Sequence, residues 1–156
     1  QPHAAVSPFV YVSVESNLEK RISERYSLGI GAKRTFVNTG RSEASISLAL
    51  LDERTEPRPN LAAPTGITRL TRWSWRGRLR HQFDDRLRFS HVTFWRPSIG
   101  GGGSFLIQSN SELSYQLNES VSFSVLFVDN YDSEARSRGA RVYNDGQVLF
   151  GVATRW

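Results

Sequence analysis

In the stretch Asn144-Asp145-Gly146-Gln147-Val148-Leu149-Phe150-Gly151-Val152-Ala153-Thr154-Arg155-Trp156, the residues sort into two series. Val148, Phe150, Val152, Thr154 and Trp156 make one; Gln147, Leu149, Gly151, Ala153 and Arg155, small or polar apart from Leu149, make the other. Successive side chains of a β-strand point to opposite faces. A period of two with one greasy series therefore marks a strand lying between an apolar and a polar environment. The sequence then stops on an aromatic residue. Chain ends usually fray, whereas the last strand of an outer-membrane β-barrel closes the barrel and sets an aromatic in the interfacial girdle. Gly151 and Trp156 stand where the assembly signal of such a barrel is expected.

The same rhythm runs back through the chain. Residues 6–18 set Val6, Pro8, Val10, Val12 and Val14 against Ser7, Phe9, Tyr11, Ser13 and Glu15. Residues 26–37 set Tyr26, Leu28, Ile30, Ala32 and Phe36 against Ser27, Gly29, Gly31, Lys33 and Thr35. After the turn signal Asn38-Thr39-Gly40, residues 42–53 place Ala44, Ile46, Leu48 and Leu50 opposite Glu43, Ser45, Ser47 and Ala49. Residues 67–82 carry Trp73, Trp75 and Leu79 on one face and Arg72, Ser74, Arg76, Arg78 and Arg80 on the other. Leu87, Phe89, Thr93 and Trp95 oppose Arg88, Ser90 and Arg96, with Val92 and Phe94 blurring the pattern. Phe105, Ile107, Leu113 and Tyr115 oppose Gln108, Asn110, Glu112 and Gln116. Val121, Phe123, Val125 and Phe127 oppose Ser120, Ser122 and Ser124.

These segments predict an all-β fold: an eight-stranded, antiparallel, up-and-down transmembrane β-barrel over a single domain, residues 1–156. Connections after the second, fourth and sixth strands are short; those after the third, fifth and seventh are longer and richer in Pro, Gly or charge. Short periplasmic turns alternating with longer external loops give that pattern, with both termini periplasmic. On this topology Tyr26, Trp95, Phe105 and Tyr131 fall near external strand ends and Phe36, Tyr115 and Trp156 near periplasmic ends, as two interfacial aromatic belts.

Composition bounds the alternatives. With 22% charged and 38% hydrophobic residues the chain is neither disordered nor a helical membrane protein. No run approaches the roughly 18 apolar residues of a transmembrane helix. Cysteine is absent, which removes disulfides, thiol catalysis and thiolate metal sites. Methionine is absent too, and a start at Gln1 is expected of a chain processed by signal-peptide removal or otherwise trimmed. A net charge of +5, mostly Arg, would suggest nucleic acid or an anionic surface, but the alternation directs many of those Arg inward. No nucleic-acid partner is therefore expected.

The inward series predicts a lumen charge network of Arg72, Arg76, Arg78, Arg80, Arg88 and Lys33 with Glu15, Glu43 and Glu112. Arg96 and Glu53 share the inward parity. An eight-stranded barrel is just wide enough to be filled by side chains, so paired charges forming a plug are expected; an anion path or ligand pocket is the alternative. Arg34, Arg69 and His91 share the outward parity. The first two lie near strand ends, where long side chains snorkel; His91 suggests a register slip at a bulge. His91 and Thr93 on one face resemble the lipid-facing His and Ser of lipid A deacylases, but no carboxylate is evident beside them. No catalytic residue, cofactor or metal is expected; His3, His81 and His91 have no zinc spacing. The run Gly100 to Gly103 lacks the Lys-Ser/Thr ending of a phosphate loop and reads as flexible. Arg136, Arg138 and Arg141 read as a solvated loop able to touch lipopolysaccharide phosphates.

The stretches Arg25-Tyr26-Ser27-Leu28-Gly29-Ile30-Gly31, Glu112-Leu113-Ser114-Tyr115-Gln116-Leu117, residues 121–132 and residues 147–156 resemble the family of salt-induced outer-membrane proteins, a bacterial family of unknown function. The resemblance runs from about Tyr11 to the end. It implies a barrel in the outer membrane of a Gram-negative bacterium and supplies no catalytic residues. The expected role is structural or interactive, with external loops meeting lipopolysaccharide or another envelope protein. The rivals are a lipid-modifying barrel enzyme and a soluble lipocalin-like barrel, which needs its apolar face inside.

Overall fold

The computed structural model describes residues 6–18, 21–58, 66–100 and 102–154. Eight strands follow one another: β1 (Val6–Asn17), β2 (Ile22–Asn38), β3 (Ser42–Pro57), β4 (Thr68–Gln82), β5 (Leu87–Pro97), β6 (Phe105–Gln116), β7 (Val121–Asp132) and β8 (Asn144–Thr154). Each pairs antiparallel with its sequence neighbours in one sheet ordered β1 to β8. A single 3₁₀ turn, Arg136–Arg138, interrupts the connection before β8. Antiparallel pairing of sequential neighbours makes this an all-β, up-and-down meander, as the alternation requires.

The sheet is curled. Arg25 on β2 reaches Asp132 on β7, 3.1 Å away, and Arg96 on β5 reaches the Tyr11 hydroxyl on β1, 2.9 Å away. Such contacts cross the concave side. No β8–β1 ladder is present among the described residues. Leu149, of inward parity on β8, is half-exposed. Gly29 marks a close approach in the β2–β3 ladder: a Cβ there would collide with the Leu51 side chain and the Leu50 carbonyl oxygen.

Polarity is inverted relative to a water-soluble sandwich. Among the described residues, eleven buried residues are polar or charged and six are apolar, so the concave side is a polar interior. The convex face carries Val10, Ile30, Leu50, Trp73, Trp75, Trp95, Val125, Phe127, Phe150 and Val152, all exposed. A lipocalin-like reading needs the opposite arrangement.

Two expectations are corrected. The register of β5 is continuous against both β4 and β6, so no slip occurs at His91; Val92 and Phe94 simply point inward. Irregularities fall instead at Glu15/Asn17, Ile22/Glu24 and Thr35/Val37. In addition, β3 continues to Pro57 rather than ending near Glu53, and β2 begins at Ile22. Outward Asp52, Arg54 and Glu56 there alternate with inward Glu53, Thr55 and Pro57, so both faces are largely polar and the hydropathy signal vanishes.

Candidate functional site

The concave face holds the only dense constellation of ionisable groups among the described residues, and it divides into two halves. The half beside the long connections is a closed ion network. Arg72, 1% exposed, donates from Nε to Glu53 Oε1 at 3.1 Å and from one terminal nitrogen to the Arg96 and Ser104 carbonyl oxygens, both 3.3 Å, and to Ser104 Oγ at 3.2 Å. Arg25 bonds Asp132 at 3.1 Å and Thr55 Oγ1 at 3.1 Å, and approaches Glu15 at 3.4 Å and Glu53 at 3.5 Å. Asp132 also accepts from the Glu134 backbone N–H at 2.9 Å and from Arg138. Arg138 pairs with Glu134 as well, at 3.5 Å. Burying charges is costly unless each finds a partner and its remaining donors are satisfied. The carbonyls and hydroxyl around Arg72 do this, because one guanidinium offers five donors in a fixed fork.

The long connections hold this network in place. Gly100, Gly102 and Gly103 adopt φ of +74°, +56° and +68°, a left-handed backbone that favours glycine. They bend the β5–β6 connection back so that Ser98 N–H meets the Ser104 carbonyl oxygen at 2.8 Å and Ser104 turns onto Arg72. The connection thus brings Ser104 onto Arg72 as a cap. The β7–β8 connection corrects one reading. Arg138 is not solvated but turns inward to Asp132, whereas Arg136, stacked over Tyr143 with 4.6 Å to the ring centroid, and Arg141 are exposed.

The half beside the short turns is looser. Glu43 is shared by Arg80 at 3.1 Å, Lys33 at 3.7 Å and Arg78 at 3.8 Å. Arg76, Arg88 and Glu112 make no ion pair among the described residues, against the expectation that Arg76 would be paired among the Glu side chains. Of the expected lumen residues, the fold therefore joins Arg72 to Glu53, Glu15 to Arg25, and Glu43 to three cations. Sequence reasoning missed Arg25, Asp132, Glu134 and Arg138. Their only signal was the inward parity of Arg25 and Asp132, which appears once β2 and β7 are drawn at full length.

A third group lies on the convex face. His91 Nδ1 is 2.8 Å from Ser111 Oγ, and its Nε2 is 2.8 Å from Thr93 Oγ1, which is 3.1 Å from Ser109 Oγ. Four polar side chains thus satisfy one another within an apolar surface. Acyl transfer from such a dyad needs a group that orients the imidazole and donors for the oxyanion. No carboxylate hydrogen-bonds to this relay among the described residues, and the neighbouring backbone is engaged in the sheet.

The aromatic residues lie at strand ends. Phe105 and Tyr131 stack at 5.3 Å and Tyr131 stacks on Tyr143 at 5.9 Å, beside the long connections. Tyr26 donates to Glu24 there at 2.6 Å, and Trp95 lies near the end of β5. Phe36, beneath the Arg34 guanidinium at 5.3 Å, and Tyr115 lie toward the short turns. Trp156 falls outside the described residues, and Gly151 faces Ser124 across the β7–β8 ladder. No curated protein and no solved structure gives a significant match to the chain. A family profile described as a protein of unknown function, DUF481, matches residues 4–156. With the profile spanning nearly its whole length, this chain belongs to the DUF481 family.

Proposed function

We propose that this protein is a small transmembrane β-barrel of the bacterial outer membrane, with a structural or interaction role rather than a catalytic one. The observation that carries the reading is the inverted polarity: large apolar side chains cover the convex face while arginines and carboxylates are buried on the concave one. A contiguous exposed apolar surface of this extent is rare on soluble monomers and suits hydrocarbon. Its resemblance to salt-induced outer-membrane proteins supports the same location. The long connections, bearing Arg141 and the Phe105–Tyr131–Tyr143 stack, are the surface through which the protein meets lipopolysaccharide or an envelope partner. In a bilayer the β1 and β8 edges must also be paired, since unsatisfied backbone groups cost several kcal/mol each in hydrocarbon.

Cell fractionation combined with gel mobility tests this reading. The protein should extract with outer-membrane detergents and should run faster unheated than boiled, as a closed barrel does. Monodisperse behaviour in plain buffer would sink the proposal.

A further inference from the structure

We propose that the concave face carries a binding site for a small organic anion, a carboxylate on a compact apolar body, held by Arg76 with Lys33 beside it. A cavity of about 340 Å³ lies between β1 and the β2–β5 wall, walled by Phe9, Ala49 and Phe94 and edged by Lys33, Ser47 and Arg76. Its size is at the lower end of small-molecule sites. The hydrogen bond from Arg96 to Tyr11, 2.9 Å, runs along one side, and the ion network lies beyond it.

Charge bookkeeping points to an absent anion. In the half beside the long connections, inward Arg25, Arg72, Arg96 and Arg138 stand against Glu15, Glu53, Asp132, Glu134 and Asp145, four to five. In the other half, Lys33, Arg76, Arg78, Arg80 and Arg88 stand against Glu43 and Glu112, five to two. Of these five cations Lys33 and Arg76 edge the cavity, and Lys33 shares Glu43 with Arg78 and Arg80. Arg76 and Arg96 both pack on the Phe94 ring, at 5.3 and 4.9 Å from its centroid, and neither has a carboxylate within 4.0 Å among the described residues. The Nε of each is buried with no hydrogen-bond partner; Arg76 is half-buried at the cavity edge, whereas Arg96, 3% exposed, lies behind it and donates to Tyr11. A desolvated guanidinium with a free donor calls for a counter-charge, and its planar fork matches a carboxylate. The apolar, aromatic walls select the rest of the ligand: Phe9 and Phe94 would gain nothing from a hydrated inorganic ion. The site is built wholly of inward side chains, so it stands independently of what the convex face contacts.

Isothermal titration of the folded full chain, in whichever medium keeps it monodisperse, tests this with benzoate, benzyl alcohol and inorganic phosphate as probes. Benzoate should saturate a single site and bind about tenfold or more tighter than benzyl alcohol, the contribution of a charge-assisted hydrogen bond. Phosphate should bind more weakly than benzoate. Arg76→Gln should weaken benzoate by about tenfold or more and leave benzyl alcohol unchanged. Ser47→Leu, which fills the cavity without altering charge, should abolish benzoate binding. If Arg76→Gln does not fold, Lys33→Gln and Ser47→Leu carry the comparison. No saturable benzoate binding, equal binding of benzoate and benzyl alcohol, phosphate as tight as benzoate, or indifference to the substitutions overturns the proposal.

Discussion

Replacing Glu53 by Gln tests whether the concave network holds the fold. Glu53 is 1% exposed and lies 3.1 Å from Arg72 Nε and 3.5 Å from Arg25 Nε. The amide keeps the shape but removes the charge and presents its own N–H₂ to two guanidinium groups. Breaking a buried pair by neutralising one partner costs about 3–5 kcal/mol. Arg72 keeps its bonds to the Arg96 and Ser104 carbonyls, and Arg25 keeps Asp132, so the lower figure, about 3 kcal/mol, is expected. With a urea slope of about 2 kcal/mol/M, the midpoint should fall by about 1.5 M. Trp73, Trp75 and Trp95, all on the convex face, report the transition by fluorescence. Glu43→Gln is the internal comparison. Its partners are one-third to one-half exposed, so its loss should cost less than about 1 kcal/mol. Adding Arg72→Met to Glu53→Gln should recover part of the loss, because an apolar replacement removes the stranded charge. Equal midpoints for the two Gln variants would refute the reasoning.

Three further outcomes are expected. Val125→Arg, on the convex face opposite Phe150, should impair folding into bilayers by about 2–4 kcal/mol, and far more than Ser124→Arg on the inward side; equal refolding yields in lipid vesicles would invert the assigned faces. Gly29→Ala should destabilise by about 1–3 kcal/mol, because its Cβ meets a backbone carbonyl that does not yield, whereas Gly77→Ala meets nothing within 4 Å and should be tolerated; matched melting temperatures would contradict this. Asp84 accepts the Arg86 and Leu87 backbone N–H groups, both at 2.7 Å, and these bonds hold its carboxyl below the ordinary range. Its contribution is therefore present above the ordinary carboxylate value of about 4 and is lost as pH falls through the lowered one, so acidification should destabilise the parent more than Asp84→Asn. Parallel pH–stability curves would dismiss that role.

Strand number, order and the two faces were legible because alternation is a local property, visible wherever one face is apolar. It failed at the far end of β3, where outward Asp52, Arg54 and Glu56 are as polar as their inward neighbours. It wavered at β5, where Phe94 and Val92 are apolar yet inward, packed beside Arg76 and Arg78. The ion network was only half legible. Arg72 and Glu53 declare themselves by parity, but the Arg25–Asp132 bond joins residues 107 positions apart on strands that are not neighbours. Cross-lumen partnership depends on curl and shear, which no local pattern encodes. His91 was puzzling for the same reason: its partner Ser111 lies across a ladder whose register the sequence alone leaves open.

The unequal division of charge along the concave face gives its two ends opposite relations to ionic strength. Beside the long connections Arg25, Arg72, Glu53 and Asp132 are paired and dry, beyond the reach of mobile ions. Beside the short turns, Arg78 and Arg80 are partly wet and repel one another and Arg76. A Debye length of about 8 Å at physiological salt spans little more than one step along that row, so added salt relieves most of the repulsion. Salt should therefore tighten the turn end and leave the network end unmoved. Amide exchange near Arg78 and Arg80 should slow as salt rises, while exchange near Arg72 should not follow it.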